Sequence, residues 1–163
     1  MQDKRDTIRK ANMAADAVSA PTTNGTPAAD KPVELAITLP SNPHTKIHVH
    51  LTLLPTTLIA LLTTSTPESP PNTAVLGSYV YAMPDRYNPS QPISTPLYTV
   101  TGSLEFAERM AKLLAKKTGK GCYVSWSGDL SGGVQGGSVE EEMEAFRAVV
   151  KTIVDADAGQ GSG

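Results

Sequence analysis

A single cysteine, Cys122, in 163 residues leaves no partner for an internal disulfide, so nothing in this chain calls for an oxidising compartment. A basic excess is also missing. Fourteen Lys and Arg face 16 Asp and Glu, a formal charge of −2, whereas proteins that draw affinity from neutralising nucleic-acid phosphates carry the opposite balance. Long apolar runs are lacking too. Leu58 to Leu62 is typical of the longest, far short of the roughly 18 residues of a membrane span. The start, Met1-Gln2-Asp3-Lys4-Arg5-Asp6, is followed by no signal-peptide core. These shortages point to a soluble protein of a reducing compartment, the cytoplasm with the nucleus also open to it, that binds neither nucleic acid nor membrane. Asn24-Gly25-Thr26 fits a glycosylation acceptor but, with no secretion route, reads as a chance match.

What is present is unevenly spread. Thirteen glycines and thirteen prolines exceed the average shares of roughly 7 % and 5 %, and their positions mark boundaries. From Ala14 to Pro32 the residues are small and polar, with one valine, Val18. Such a stretch buries too little apolar surface to offset an ordering entropy of about 1–2 kcal/mol per residue. Residues 1–31 therefore read as a disordered polar arm, 32–157 as the folded domain, and 158–163, with Gly159, Gly161 and Gly163, as a flexible tail.

Within the domain the apolar period begins at two. Val33, Leu35, Ile37 and Leu39 alternate with Glu34, Ala36 and Thr38 until Pro40, and Ile47, Val49, Leu51 and Leu53 alternate with His48, His50 and Thr52. Both are half-buried strands. Pro55-Thr56-Thr57 turns the chain into a third, Leu58 to Thr64, giving an antiparallel hairpin. Beyond the Pro- and Ser-rich stretch Pro67 to Asn72, Thr73 to Ala82 is again strand-like, and Gly77 inside it marks a bulge or a close backbone approach. Met83 to Pro96, with four prolines, reads as an irregular extended connection, followed by a short strand at Leu97 to Val100.

The period then lengthens. Ser103 is the expected cap of a helix with Glu105 in its first turn, an apolar face of Leu104, Ala107, Met110, Ala111, Leu113 and Leu114, Lys116 and Lys117 in its last turn, and Gly119 at the left-handed C′ position. Cys122, Val124 and Trp126 alternate with Tyr123 and Ser125 as a further strand. Ser138-Val139-Glu140-Glu141 is a capping box that opens a second helix, with a stripe at Val139, Met143, Phe146, Val150 and Ile153. Strands first, then helix, strand and helix, predict an α+β domain: a mostly antiparallel sheet with a small sandwich-like core and two amphipathic helices in the carboxy-terminal half.

Candidate chemistry is sparse. His48 and His50 form a His-x-His pair on one strand face, short of the three or four ligands a zinc site needs, and read as solvent-facing. The glycines of Ser127 to Ser138 lead into a helix as a phosphate loop does, but the Gly-Lys-Ser/Thr ending is missing and Glu140, Glu141 and Glu142 would repel an anion. No Gly-x-Ser-x-Gly elbow occurs. Cys122 lies on the inward side of its strand, where a thiol is inert packing. Glu140, Glu141, Glu142 and Glu144 read as the solvated face of the last helix. No acid, base and nucleophile come together, and no cofactor, nucleotide or metal is expected.

Four motifs occur in order: Arg86-Tyr87 followed by Pro92-Ile93-Ser94-Thr95-Pro96-Leu97; Leu114-Ala115-Lys116-Lys117-Thr118-Gly119-Lys120; Tyr123-Val124-Ser125-Trp126; and Glu141-Glu142-Met143-Glu144-Ala145-Phe146. With the Ile47-His48-Val49-His50 strand, the region Val33 to Val149 resembles the proteasome assembly chaperone 4 family. The resemblance implies a small non-catalytic chaperone of the 20S proteasome that pairs with proteasome assembly chaperone 3. The heterodimer would hold α-type subunits while the α-ring forms and leave before the particle closes. For such a protein, Arg86 and Tyr87 are residue types enriched among binding hot spots, while Ser94 and Thr95 lie in an extended segment able to offer backbone hydrogen bonds to a partner. Tyr87 as a loop anchor over the core is the plainer alternative. Two other functions compete: a profilin-like or roadblock-like adaptor that acts by dimerising, and a small metal-dependent hydrolase built on His48 and His50.

Overall fold

Among the described residues, six strands form where apolar residues recur every second position and two helices where they recur every third or fourth. The computed structural model describes residues 31–68, 75–128, 130 and 139–160. In chain order the elements are β1 (Val33–Thr38), β2 (Lys46–Leu53), β3 (Thr57–Ser65), β4 (Ser78–Met83), β5 (Ile93–Tyr98), α1 (Leu104–Thr118), β6 (Gly121–Trp126) and α2 (Val139–Gln160). The sheet order is β1-β2-β3-β6-β4-β5. Every neighbouring pair is antiparallel except β3 with β6, which are parallel. The fold is thus α+β with a mostly antiparallel sheet, as the order of periodicities predicts. Most of the polar arm (1–30), residues 69–74 of the Pro- and Ser-rich stretch, the glycine-rich residues 131–138 with the capping Ser138, and residues 161–163 lie outside the described residues.

Both helices cover one face of the sheet. α1 packs over β4, β5 and β6, while α2 lies beside α1 and against β2. Between the layers sit Ile47, Val49, Leu51, Leu58, Leu62, Val80 and Val124 from the strands, against Met110, Leu114, Val149 and Ile153 from the helices. Each such side chain, fully removed from water, contributes about 1.5–3 kcal/mol. Phe106 joins three elements: its ring stacks on Trp126 of β6 at 4.2 Å and meets the edge of Phe146 of α2 at 5.5 Å. Phe106 lies outside the apolar face expected for α1, although its aromatic bulk closes the core between sheet and helices.

Several boundaries differ from the sequence reading. β5 begins at Ile93, inside the stretch taken as an irregular connection, because Met83 to Val80 offers it a ladder partner and Pro96 is tolerated on an outermost strand. β4 starts at Ser78 rather than Thr73, and Val75 and Leu76 before it are exposed. The Ser103 hydroxyl makes no capping bond to α1. It is buried and bonded to Ser78 Oγ at 2.7 Å, accepts the Ser78 N–H at 3.1 Å and reaches the Val100 carbonyl at 3.2 Å, tying the start of β4 to the entry of α1. At the other end Gly119 takes φ 69° and its N–H donates to the Ala115 carbonyl, the expected C′ geometry. Val139 is 78 % exposed, so the α2 stripe becomes buried only at Ala145 and Phe146. α2 runs to Gln160, three residues beyond the expected domain boundary. Its far end is held by Lys120 Nζ to Asp157 Oδ1 at 2.6 Å, and its start by Asn42 Nδ2 to Glu141 Oε1 at 2.7 Å.

Gly77 is a close approach. A Cβ there would overlap the Trp126 carbonyl oxygen and the backbone of Ser127, neither of which can swing away as a side-chain tip can. Gly77→Ala should therefore lower unfolding stability by about 2–3 kcal/mol, read as a lower denaturation midpoint with an unchanged slope. A wild-type midpoint would show that the β4 entry shifts freely.

Candidate functional site

Among the described residues no helix covers the second sheet face, and its composition is not that of a water-facing surface. Paired residues share a face, so the ladder places Tyr79, Tyr81, Tyr123, Ile59, Leu61 and Tyr98 together on the side opposite the helices. Tyr123 lies at the centre, 4.6 Å from the Tyr81 ring and 6.0 Å from the Tyr79 ring. Burial, and secondarily the neighbouring Tyr123, raise the Tyr79 phenol above its ordinary value, keeping it a neutral hydroxyl. Leu61 is 36 % and Tyr98 52 % exposed. Toward β1 and β2 the same face turns polar, with Glu34, Thr38, Lys46, His48 and His50. The result is an aromatic centre with a charged margin, the composition of a protein-binding surface. Its sequence signal is the run Leu58-Ile59-Ala60-Leu61-Leu62, in which both faces of β3 are apolar. The β2 strand beside it alternates cleanly and gives no such signal.

The residues singled out from sequence do not form one cluster. Arg86 and Tyr87 lie in the β4–β5 loop, both exposed, Tyr87 to 98 %. That exposure excludes Tyr87 as an anchor over the core. The loop is shaped from within: the Tyr87 N–H donates to Asp85 Oδ1 at 2.8 Å. Ser94 and Thr95 lie on β5, the outermost strand, and point to opposite faces. Thr95 pairs with Tyr81 on the open side. Ser94 points toward the helices and donates to Glu108 Oε1 at 2.8 Å. Lys112 and Ser94 both bond to that carboxyl and hold it below the usual carboxylate range. The Ser94 side chain is thus committed to fastening β5 onto α1.

The candidate chemical groups are occupied with structure. His48 Nε2 is 2.7 Å from Ser65 Oγ, and His50 Nδ1 is 3.7 Å from Glu34 Oε1. Among the described residues no three His, Cys, Asp or Glu converge as metal ligands. Cys122 is fully buried, and desolvation pushes its thiol up to about 11.

That shift has a pH consequence with a definite sign. The thiol titrates near 9 when exposed, so above that pH the unfolded chain loses a proton that the folded chain keeps, and stability falls as pH rises. Between about pH 9 and 11 the chain should lose roughly 2 kcal/mol more than Cys122→Ala does over the same range, measured by urea unfolding. Parallel pH profiles for the two proteins would show that the thiolate is accommodated.

Comparison with known proteins bears on which use this surface has. The family model described as proteasome assembly chaperone 4 matches residues 46–127, from β2 to the end of β6. A solved structure described as a novel chaperone complex for yeast 20S proteasome assembly is similar in fold, with TM-score 0.50 and 18 % identity, over 77 % of this chain and 94 % of that one. No curated protein matches the sequence. The family match spans half of the chain and takes in the strands that build the open aromatic face, and the chain belongs to the proteasome assembly chaperone 4 family.

Proposed function

We propose that this chain is a non-catalytic chaperone that assists assembly of the 20S proteasome α-ring, as a heterodimer with proteasome assembly chaperone 3, and that it holds α-type subunits transiently in the cytoplasm and the nucleus. The observation that carries the reading is the uncovered sheet face. A face centred on Tyr79, Tyr81, Tyr123 and Leu61 has apolar area to lose and phenol hydroxyls able to hydrogen-bond a partner. A sister protein with a sheet of its own is the natural cover, since two such faces interdigitate at a spacing of about 10 Å. Family membership supports the assignment to proteasome assembly. In this reading the β4–β5 loop, whose Arg86 and Tyr87 are exposed, meets an α-type subunit while the sheet face is occupied.

The two contacts can be separated. Leu61→Glu puts a charge in the aromatic centre at a side chain already partly in water. Monomer stability should change by less than about 1 kcal/mol, while co-purification with proteasome assembly chaperone 3 should be lost. Arg86→Ala with Tyr87→Ala should keep the heterodimer and weaken capture of α-type subunits by about tenfold or more. Wild-type capture by both variants, or a tagged chain that recovers GTPase-regulating or trafficking proteins and no core-particle intermediates, would overturn the proposal in favour of an adaptor.

A further inference from the structure

The helix layer carries a second surface, of a different chemistry from the sheet face. α1 and α2 run in the same direction: Arg109 faces Glu142 and Phe146 at one end, and Lys120, just beyond α1, pairs with Asp157 at the other. Between them lies an open groove of about 470 Å³ with an apolar floor of Leu113, Met143, Phe146, Val150 and Val154. Across Leu113 and Phe146 it continues into a second groove of about 680 Å³ under the β4–β5 loop, bordered by Ile93, Pro92 and Lys112.

Charge around this floor is segregated. The acidic residues Glu105, Glu140, Glu141, Glu142 and Glu144 gather at the helix starts. The cations gather further along: Lys112 and Lys116 border the larger groove, and Lys117, Arg147 and Lys151 the smaller. Arg109 and Lys112 already have carboxylate partners in Glu105, Glu142 and Glu108. Lys116, Lys117, Arg147 and Lys151 have none within 4.0 Å among the described residues. Among the described residues, Asp85 and Asp155 alone bring carboxylates to the two borders. Lys116 and Lys117 complement the C-terminal dipole of α1. Arg147 and Lys151 lie well before the end of α2, where no such role exists.

We infer that this groove binds an acidic peptide segment with apolar anchors, carried by a partner protein. Apolar side chains would enter the Leu113–Val150–Val154 floor while carboxylates meet the four unpaired cations. The inference deepens the proposed function by giving the chaperone a client-facing surface separate from the sheet face, and the test needs no proteasome component.

The probe is a fluorescein-labelled twelve-residue peptide of alternating Glu and Leu pairs, titrated with the full chain and read by anisotropy. Binding should weaken about tenfold or more in Lys117→Glu/Arg147→Glu/Lys151→Glu, and by a similar factor between about 0.05 and 0.5 M NaCl. Lys31→Glu, at an exposed position ahead of β1 that lines neither groove, should bind as wild type. The corresponding triple Gln variant, which reverses no charge, should retain the fold and fall between the two. No binding by wild type, equal binding by the charge-reversed variant, or equal binding of a Gln-for-Glu probe would overturn the inference. So would binding of an acidic polymer such as heparin without affinity for the peptide. Peptide binding by a chain that ignores proteasome subunits would keep the groove and remove the proteasome reading; capture of subunits without peptide binding would do the reverse.

Discussion

Among the described residues, two helices cover one face of a six-stranded sheet and leave the other to find its own solution. On the covered side the solution is internal: Phe106, Trp126 and Phe146 interlock, and the aliphatic residues of β2, β3, β4 and β6 are removed from water against α1 and α2. On the other side, β3, β4 and β6 present Ile59, Leu61 and three tyrosines that no element among the described residues covers. A sheet face that was meant for water would alternate to Thr, Lys or Glu at these positions, as β1 and β2 do. The asymmetry between the two halves of one face is the feature from which the reading of this molecule as a binding protein follows.

The covered face also fixes where the other surfaces stand. α1 is anchored at both ends by contacts that have nothing to do with its apolar stripe. The Ser78–Ser103 hydroxyl pair joins its entry to β4, and the left-handed turn at Gly119 returns the chain into β6. Ser94 and Lys112 hold Glu108 between them, so that β5, an outermost strand with a proline in it, stays against α1. The β4–β5 loop is thereby suspended beside the helix groove. Arg86 and Tyr87 project from a frame with both of its ends fastened, which limits the entropy lost when a partner orders them.

Much of this was legible in the amino-acid order, because alternation and 3.6-residue spacing report burial directly. β1, β2 and β6 follow period two, and α1 follows its stripe to a glycine. What escaped was set by contacts between distant residues. Ile93 to Pro96 has the composition of a loop and becomes a strand because β4 lies beside it. Ser103 has the position of a cap and is drawn instead to Ser78, 25 residues away. Phe106 sits off the expected stripe because it fills the space left by Trp126 and Phe146. The open face was written in β3, where five successive apolar residues leave neither side for water, but Tyr79, Tyr81 and Tyr123 become a cluster only through the β4–β6 register.

The choice of tyrosine for the centre of that face has a physical consequence for a protein that must both wait and bind. An aliphatic patch of the same size would gain as much on burial but would adhere to any apolar surface, including another copy of itself. Tyrosine offers a comparable apolar body with a hydroxyl that remains hydrated until a partner supplies an acceptor or donor of matching geometry. A wrong partner leaves those hydroxyls buried and unsatisfied, at a cost of about 1–3 kcal/mol each. Three of them around one ring cluster are enough to separate a specific complex from an adventitious one by several orders of magnitude. Selectivity on this face therefore rests on polar atoms within an apolar patch, and the same hydroxyls give water a way back in when the complex has to come apart.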